Sequence, residues 1–89
     1  MNFTLASRDD VGEGLRILEL KGGVNFDNAP AIREQGRDLL NAGELRRVVI
    51  DVSGVSAANS VLFSVLLRWM WIAESRDLRF GVRGLSARL

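Results

Sequence analysis

The 89-residue sequence contains no cysteine and no histidine. No disulfide framework can form, so nothing in the chain points to an oxidising compartment. Thiol nucleophiles, imidazole general bases and ordinary zinc sites are excluded by the same two absences. Proline occurs once, at position 30, and no repeat, linker or low-complexity stretch divides the chain. A single domain spanning 1–89 is therefore expected. Charge of one sign is lacking as well: 12 basic residues face 11 acidic ones, for a net charge of +1. That balance removes the simplest electrostatic case for nucleic-acid binding. Long apolar runs are also missing. The best, 61–73, is interrupted by Ser64 and Arg68, whereas a membrane span needs about 20 apolar residues. The first 20 residues have neither the charged nor the apolar part of a targeting segment. The chain reads as cytoplasmic, and its 47% hydrophobic and 26% charged content is that of a folded globular domain.

Within that frame the pattern is β-β-α-β-α-β. Strands are expected at 2–7 and 15–20, joined as an antiparallel hairpin through a turn-rich stretch at Ser7-Arg8-Asp9-Asp10. Asn25 to Asn28 supply cap candidates for a first helix, with Pro30 in its first turn and Gly43 just past its end. Ala31, Ile32, Gln35, Leu39 and Leu40 follow helical spacing. The β-branched run at 47–52 fits a strand buried on both faces, with Ser53-Gly54 breaking it. A second helix starts near Asn59-Ser60 and runs to about Glu74 or Ser75, followed by a strand at 78–82. Strands alternating with helices imply an α/β fold, a mixed four-stranded sheet with helices mainly on one face.

The second helix carries most of the functional signal. Leu62, Val65, Leu66, Trp69 and Ala73 fall within one arc and form its core stripe. The opposite arc carries Ser60, Ser64, Arg68, Trp71 and Ser75, flanked by Phe63, Leu67 and Met70. A solvated helix face normally shows charge. Small residues admit a neighbouring backbone, and Trp and Arg are enriched among interface hot spots, so this outer arc reads as a docking face.

Other candidate chemistry is thin. Gly12-Glu13-Gly14 and Gly22-Gly23 belong to no phosphate-loop pattern and read as turns. Asp9-Asp10 lacks a third carboxylate at calcium-loop spacing and reads as a solvated turn. Arg46-Arg47 stands at a helix-to-strand junction and either meets an acidic partner or keeps a strand edge soluble. The remaining arginines are spread along the chain, which gives no nucleic-acid patch. Asp51 has no catalytic partner, and its expected role is to accept from loop N–H groups between Ser53 and Val55. No acid–base pair, cofactor or metal site is expected, and the chain is not read as an enzyme.

The stretch Val48-Val49-Ile50-Asp51-Val52-Ser53-Gly54-Val55, then Ser56-Ala57-Ala58-Asn59-Ser60 and the apolar helix, resembles the signature of STAS domains. Gly22-Gly23-Val24-Asn25 is similar to that family's Gly-x-Leu-Asp turn. Within the superfamily the chain most resembles the cytoplasmic STAS subunit of Mla-type phospholipid ABC transporters. The likeness lies in Ser60 with Leu66-Leu67, in Leu78-Arg79-Phe80, and in Arg83-Gly84-Leu85-Ser86-Ala87-Arg88-Leu89, which resembles the opening of a closing helix cut short. The resemblance implies a non-catalytic subunit, peripheral to the inner membrane, that binds the transporter's ATPase. Its expected interface is Asn59, Ser60, Ser64, Leu67, Arg68 and Trp71, with Asn25 and Asp51 supporting the site loops.

More distantly, the chain resembles anti-sigma factor antagonists, in which a partner kinase phosphorylates the serine at the Ser60 position. That likeness makes Ser60 a candidate phosphoacceptor, while the residues alone also allow Ser60 to be a helix cap. Two acids of the family pattern are amides here, Asn25 and Asn59. The small residues after the serine are replaced by Val61, Leu62 and Phe63, which trades a regulatory surface for a stickier one.

Overall fold

The computed structural model describes residues 2–85. Strand β1 (Phe3–Asp10) pairs antiparallel with β2 (Leu15–Gly22), as the hairpin reading requires. Helix α1 (Ala29–Asn41) crosses to β3 (Arg47–Val55), and helix α2 (Ser60–Ser75) crosses to β4 (Arg79–Arg83). β2, β3 and β4 are parallel neighbours, giving a mixed sheet in the order β1-β2-β3-β4. The strands advance in one direction, so two right-handed crossovers place both helices on the same face.

That face is the core. Leu18 and Leu20, Val48, Ile50 and Val52 alternate inward along β2 and β3, and pack against Ile32 and Leu40 of α1 and Leu62, Val65, Leu66 and Trp69 of α2. Trp69 is fully buried, and its indole N–H donates to the Arg33 carbonyl oxygen at 3.2 Å. A Cβ added at Gly36 would lie 2.1 Å from the Trp69 ring. The indole therefore rests directly on the α1 backbone, and only glycine leaves room for it.

Four expectations need correction. Ser7 to Asp10 are not a turn but the second half of β1, paired with residues 15–18. Asp9 there forms a two-pronged ion pair with Arg16 at 2.7 and 2.8 Å, and Asp10 caps the short 3-10 turn Val11–Glu13 by accepting from the Glu13 N–H. Ser53-Gly54 does not end β3. The ladder slips by one residue opposite Glu19 to Lys21, a bulge, and the strand continues to Val55. On α1, Ala31 and Gln35 are exposed; Ala29 and Gly36 hold the inner positions instead.

The helix ends are closed by distant residues. α1 has no basic residue in its own last turn, yet its carboxyl end meets two guanidinium groups, which complement the dipole. Arg16 donates to the Leu39 and Ala42 carbonyls at 2.7 Å each, and Arg76 donates to those of Leu40 and Gly43. Gly43, at φ 75°, takes the left-handed position just after the helix. α2 stops in the same way, with Asp77 left-handed and the Leu78 N–H donating to the Ala73 carbonyl. The segment resembling the opening of a closing helix falls mostly in residues 86–89, outside the described residues. Among the described residues, no helix is long and apolar enough to cross a membrane.

Candidate functional site

Both helices begin at the carboxyl end of the parallel strands, where ligands and partners of open α/β sheets usually meet the fold. The turn into α1 organises itself around amides. The Asn25 side-chain oxygen accepts from the N–H groups of Asp27 and Asn28, and the Asn28 side-chain oxygen accepts from the Asn25 N–H. Asn59 then ties this turn to α2. Its amide nitrogen donates to the Val24 carbonyl at 3.0 Å, and its oxygen caps the helix by accepting from the Leu62 N–H at 2.9 Å. An aspartate at 59 could cap but could not donate to Val24, so the amide has a physical reason to be there.

Ser60 is the first residue of α2 and is exposed; Asn59, not Ser60, is the cap. The Phe63 N–H is taken by the Asn59 carbonyl. Among the described residues, the Ser60 hydroxyl and the N–H groups of Ser60 and Val61 have no partner. A free hydroxyl beside free amides at a helix N-terminus is a setting that accepts negative charge. Ser60 also lines an open hollow of about 720 Å³ with Val52, Ser56, Asn59, Phe63 and Leu85.

Beyond Ser60, α2 presents Phe63, Leu67 and Trp71 to solvent at 41%, 44% and 54% exposure. Their spacing of four residues makes them one stripe. Ser64 beside it is exposed and turns its hydroxyl back to the Val61 carbonyl at 2.8 Å, so it adds little polarity. Arg68 is exposed and, among the described residues, its guanidinium has no ion partner. The six interface residues named from the sequence are thus all on α2 or its cap. Phe26, 82% exposed in the turn that Asn59 anchors, was not anticipated; an apolar residue set among Asn25, Asp27 and Asn28 was the available signal.

Asp51 stands apart from this surface. It sits mid-strand on the sheet face away from the helices, because its neighbours Ile50 and Val52 point into the core. Its carboxylate accepts from the Ser53 N–H at 2.9 Å, the Ser53 hydroxyl at 2.7 Å and Arg83 Nε at 3.1 Å. The Ser53 bonds, and secondarily Arg83, pull its pKa down to about 2. Its bonds therefore lie within β3 and across to β4, and not in the loop after β3 as expected from the sequence. No group of three or more carboxylate, imidazole or thiol side chains that could hold a metal occurs among the described residues.

A mixed sheet backed by two helices, with a capped helix N-terminus opening onto an exposed apolar stripe, defines a small α/β domain. The family whose model matches residues 11–89 is described as "Mlab, STAS domain", and the chain belongs to that STAS family. Its fold is similar to the STAS domain of an anti-sigma factor antagonist from Rhodobacter sphaeroides, with a TM-score of 0.76 at 19% identity, over 92% of this chain and 86% of that one. It is also similar to an anti-sigma factor antagonist from Mycobacterium paratuberculosis, with a TM-score of 0.72 at 23% identity, over 91% of this chain and 66% of that one. The anti-sigma factor antagonist SpoIIAA in its unphosphorylated form aligns with a TM-score of 0.69 at 18% identity, over 96% and 74%. No curated protein matches the chain.

Proposed function

We propose that this chain is a non-catalytic interaction subunit of an ABC transporter for phospholipid trafficking, held at the cytoplasmic side of the inner membrane by binding the transporter's ATPase. The observation that carries the reading is the outward face of α2: Phe63, Leu67 and Trp71 exposed in one stripe, with the unpaired Arg68 alongside. Monomeric proteins seldom leave such a stripe uncovered, and Trp and Arg are the residues that most often carry binding energy. The family description, which names Mlab, supports this branch of the STAS family. Asn59, Ser60, Ser64, Leu67, Arg68 and Trp71 form the proposed contact. Asn25 positions the adjoining turn, and Asp51 braces the last residues of β3 that lead into the site loop. The test is co-purification with the ATPase: Ser60→Asp and Trp71→Ala each weaken it, and full binding by both variants overturns the proposal.

A second reading is favoured by one observation, the unpartnered Ser60 hydroxyl beside two open backbone N–H groups. In this reading the chain is an anti-sigma factor antagonist whose Ser60 a partner kinase phosphorylates, the new charge being stabilised by the helix N-terminus. Stoichiometric phosphate on Ser60 in cells, or capture of a kinase-type anti-sigma factor, supports this reading against the first.

A further inference from the structure

The other end of the molecule carries a feature that docking through α2 does not use. Arg46-Arg47 and Arg79, separated by more than 30 positions in sequence, come together with Arg76 around a hollow of about 620 Å³. The expectation that the arginines are spread out fails here. Arg47 and Arg79 are register partners on the parallel strands β3 and β4, so both side chains leave the same face about 5 Å apart. Like charges in that relation repel and destabilise a sheet.

The same two strands show what a relieved rung looks like. Four residues further along, Asp51 and Arg83 are register partners of opposite charge and are bonded at 3.1 Å. Among the described residues, the Arg47–Arg79 rung has no comparable partner. Glu13 and Asp77 also line the hollow, yet among the described residues neither reaches an arginine within ion-pair distance. Arg76 is engaged by the α1 carbonyls of Leu40 and Gly43. Among the described residues, Arg46, Arg47 and Arg79 thus keep their guanidinium donors free and exposed around the same hollow.

We infer that Arg47 and Arg79, with Arg46, form a binding site for a phosphate group. Two guanidinium forks side by side supply more donors than one carboxylate can accept, and they match the several oxygens of a phosphate. The hollow is open on one side, and its volume falls in the range of small-ligand clefts. The phosphate belongs either to a soluble phosphorylated molecule or to a lipid headgroup, and the two sources share this recognition. The site lies beyond the carboxyl end of α2, about 24 Å along the helix from Ser60, so it is occupied independently of the docking face.

The experiment titrates inorganic phosphate into the isotope-labelled full chain, with chloride matching the ionic strength, and follows the amide and guanidinium N–H resonances by NMR. In parallel, flotation is measured with vesicles of phosphatidylglycerol and of phosphatidylcholine. The expected result is saturable shifts at Arg46, Arg47 and Arg79, no shift at Ser60 to Trp71, and about tenfold or more weakening in the Arg47→Gln/Arg79→Gln variant. That variant should melt no lower than the wild type, since it removes a repulsive pair. Arg47→Lys/Arg79→Lys keeps the charge but loses the forks, and should also bind phosphate more weakly. Arginine-dependent flotation with phosphatidylglycerol alone assigns the headgroup source; saturable phosphate binding without flotation assigns the soluble one. Shifts that do not saturate, that chloride reproduces, or that survive in both variants overturn the site. So does tighter binding of a poly-glutamate peptide than of phosphate.

Discussion

Trp69 and Trp71 are two residues apart on one helix and lead opposite lives. Trp69 is completely buried, lies on the α1 backbone at Gly36 and satisfies its N–H on the Arg33 carbonyl. Trp71 is half exposed and stands with Leu67 and Phe63. The same side chain is buried in the core at one position and left exposed at the other. Helical geometry separates the two by about 200°, so a change at one face should leave the other's readout intact.

The largest effect is expected at Trp69. Trp69→Ala should cost about 3–5 kcal/mol of unfolding free energy, measured by urea denaturation, through lost burial and the cavity left behind. Trp71→Ala should do the reverse. Its stability should change by no more than about 0.5 kcal/mol, while binding to the proposed ATPase partner should weaken by about 2–4 kcal/mol in a titration. Gly36→Ala tests the inner face from the opposite helix. The added Cβ must displace the Trp69 ring, and a loss of about 1–3 kcal/mol is expected in the same denaturation assay. A neutral Gly36→Ala would show that the indole does not rest where described.

A comparable effect lies away from both faces. Asp51→Asn should cost about 1.5–3 kcal/mol at neutral pH by weakening the bonds from Ser53 and Arg83. The sign of its pH dependence follows from a folded pKa of about 2, below the ordinary carboxylate value. The stabilisation is complete above about pH 4 and is lost as pH falls towards 2. The gap between wild type and variant should therefore close across that window. Asp9 is also held below its ordinary value by Arg16 and titrates in both proteins, so the difference between their curves isolates Asp51. Smallest, Asn59→Ala removes a cap and the bond to Val24, at a cost of about 1 kcal/mol in thermal unfolding.

The inner face of α2 was readable in the sequence because burial on a helix repeats every 3.6 residues, and Leu62, Val65, Leu66, Trp69 and Ala73 keep that period. The outer stripe was readable for the complementary reason: apolar residues stood where charge was due. The glycine under Trp69 was not, since Gly36 alone says nothing about an indole 33 positions later. The same holds for the closure of α1. Its capping groups, Arg16 and Arg76, lie on other elements, and local propensity rules see only a helix without a basic last turn. Ser7 to Asp10 misled because polar residues on an edge strand have the composition of a turn; their pairing with residues 15–18 decides the matter. Arg47 and Arg79 became neighbours only through strand register.

The most direct measurement uses Trp71 itself. Acrylamide quenching of tryptophan fluorescence, read in the free chain and in its proposed complex with the ATPase, separates a silent Trp69 from an accessible Trp71. Complex formation should abolish the accessible component, as it would if the outer face of α2 were covered. A Trp71 that stays as quenchable in the complex as in the free chain would contradict the account.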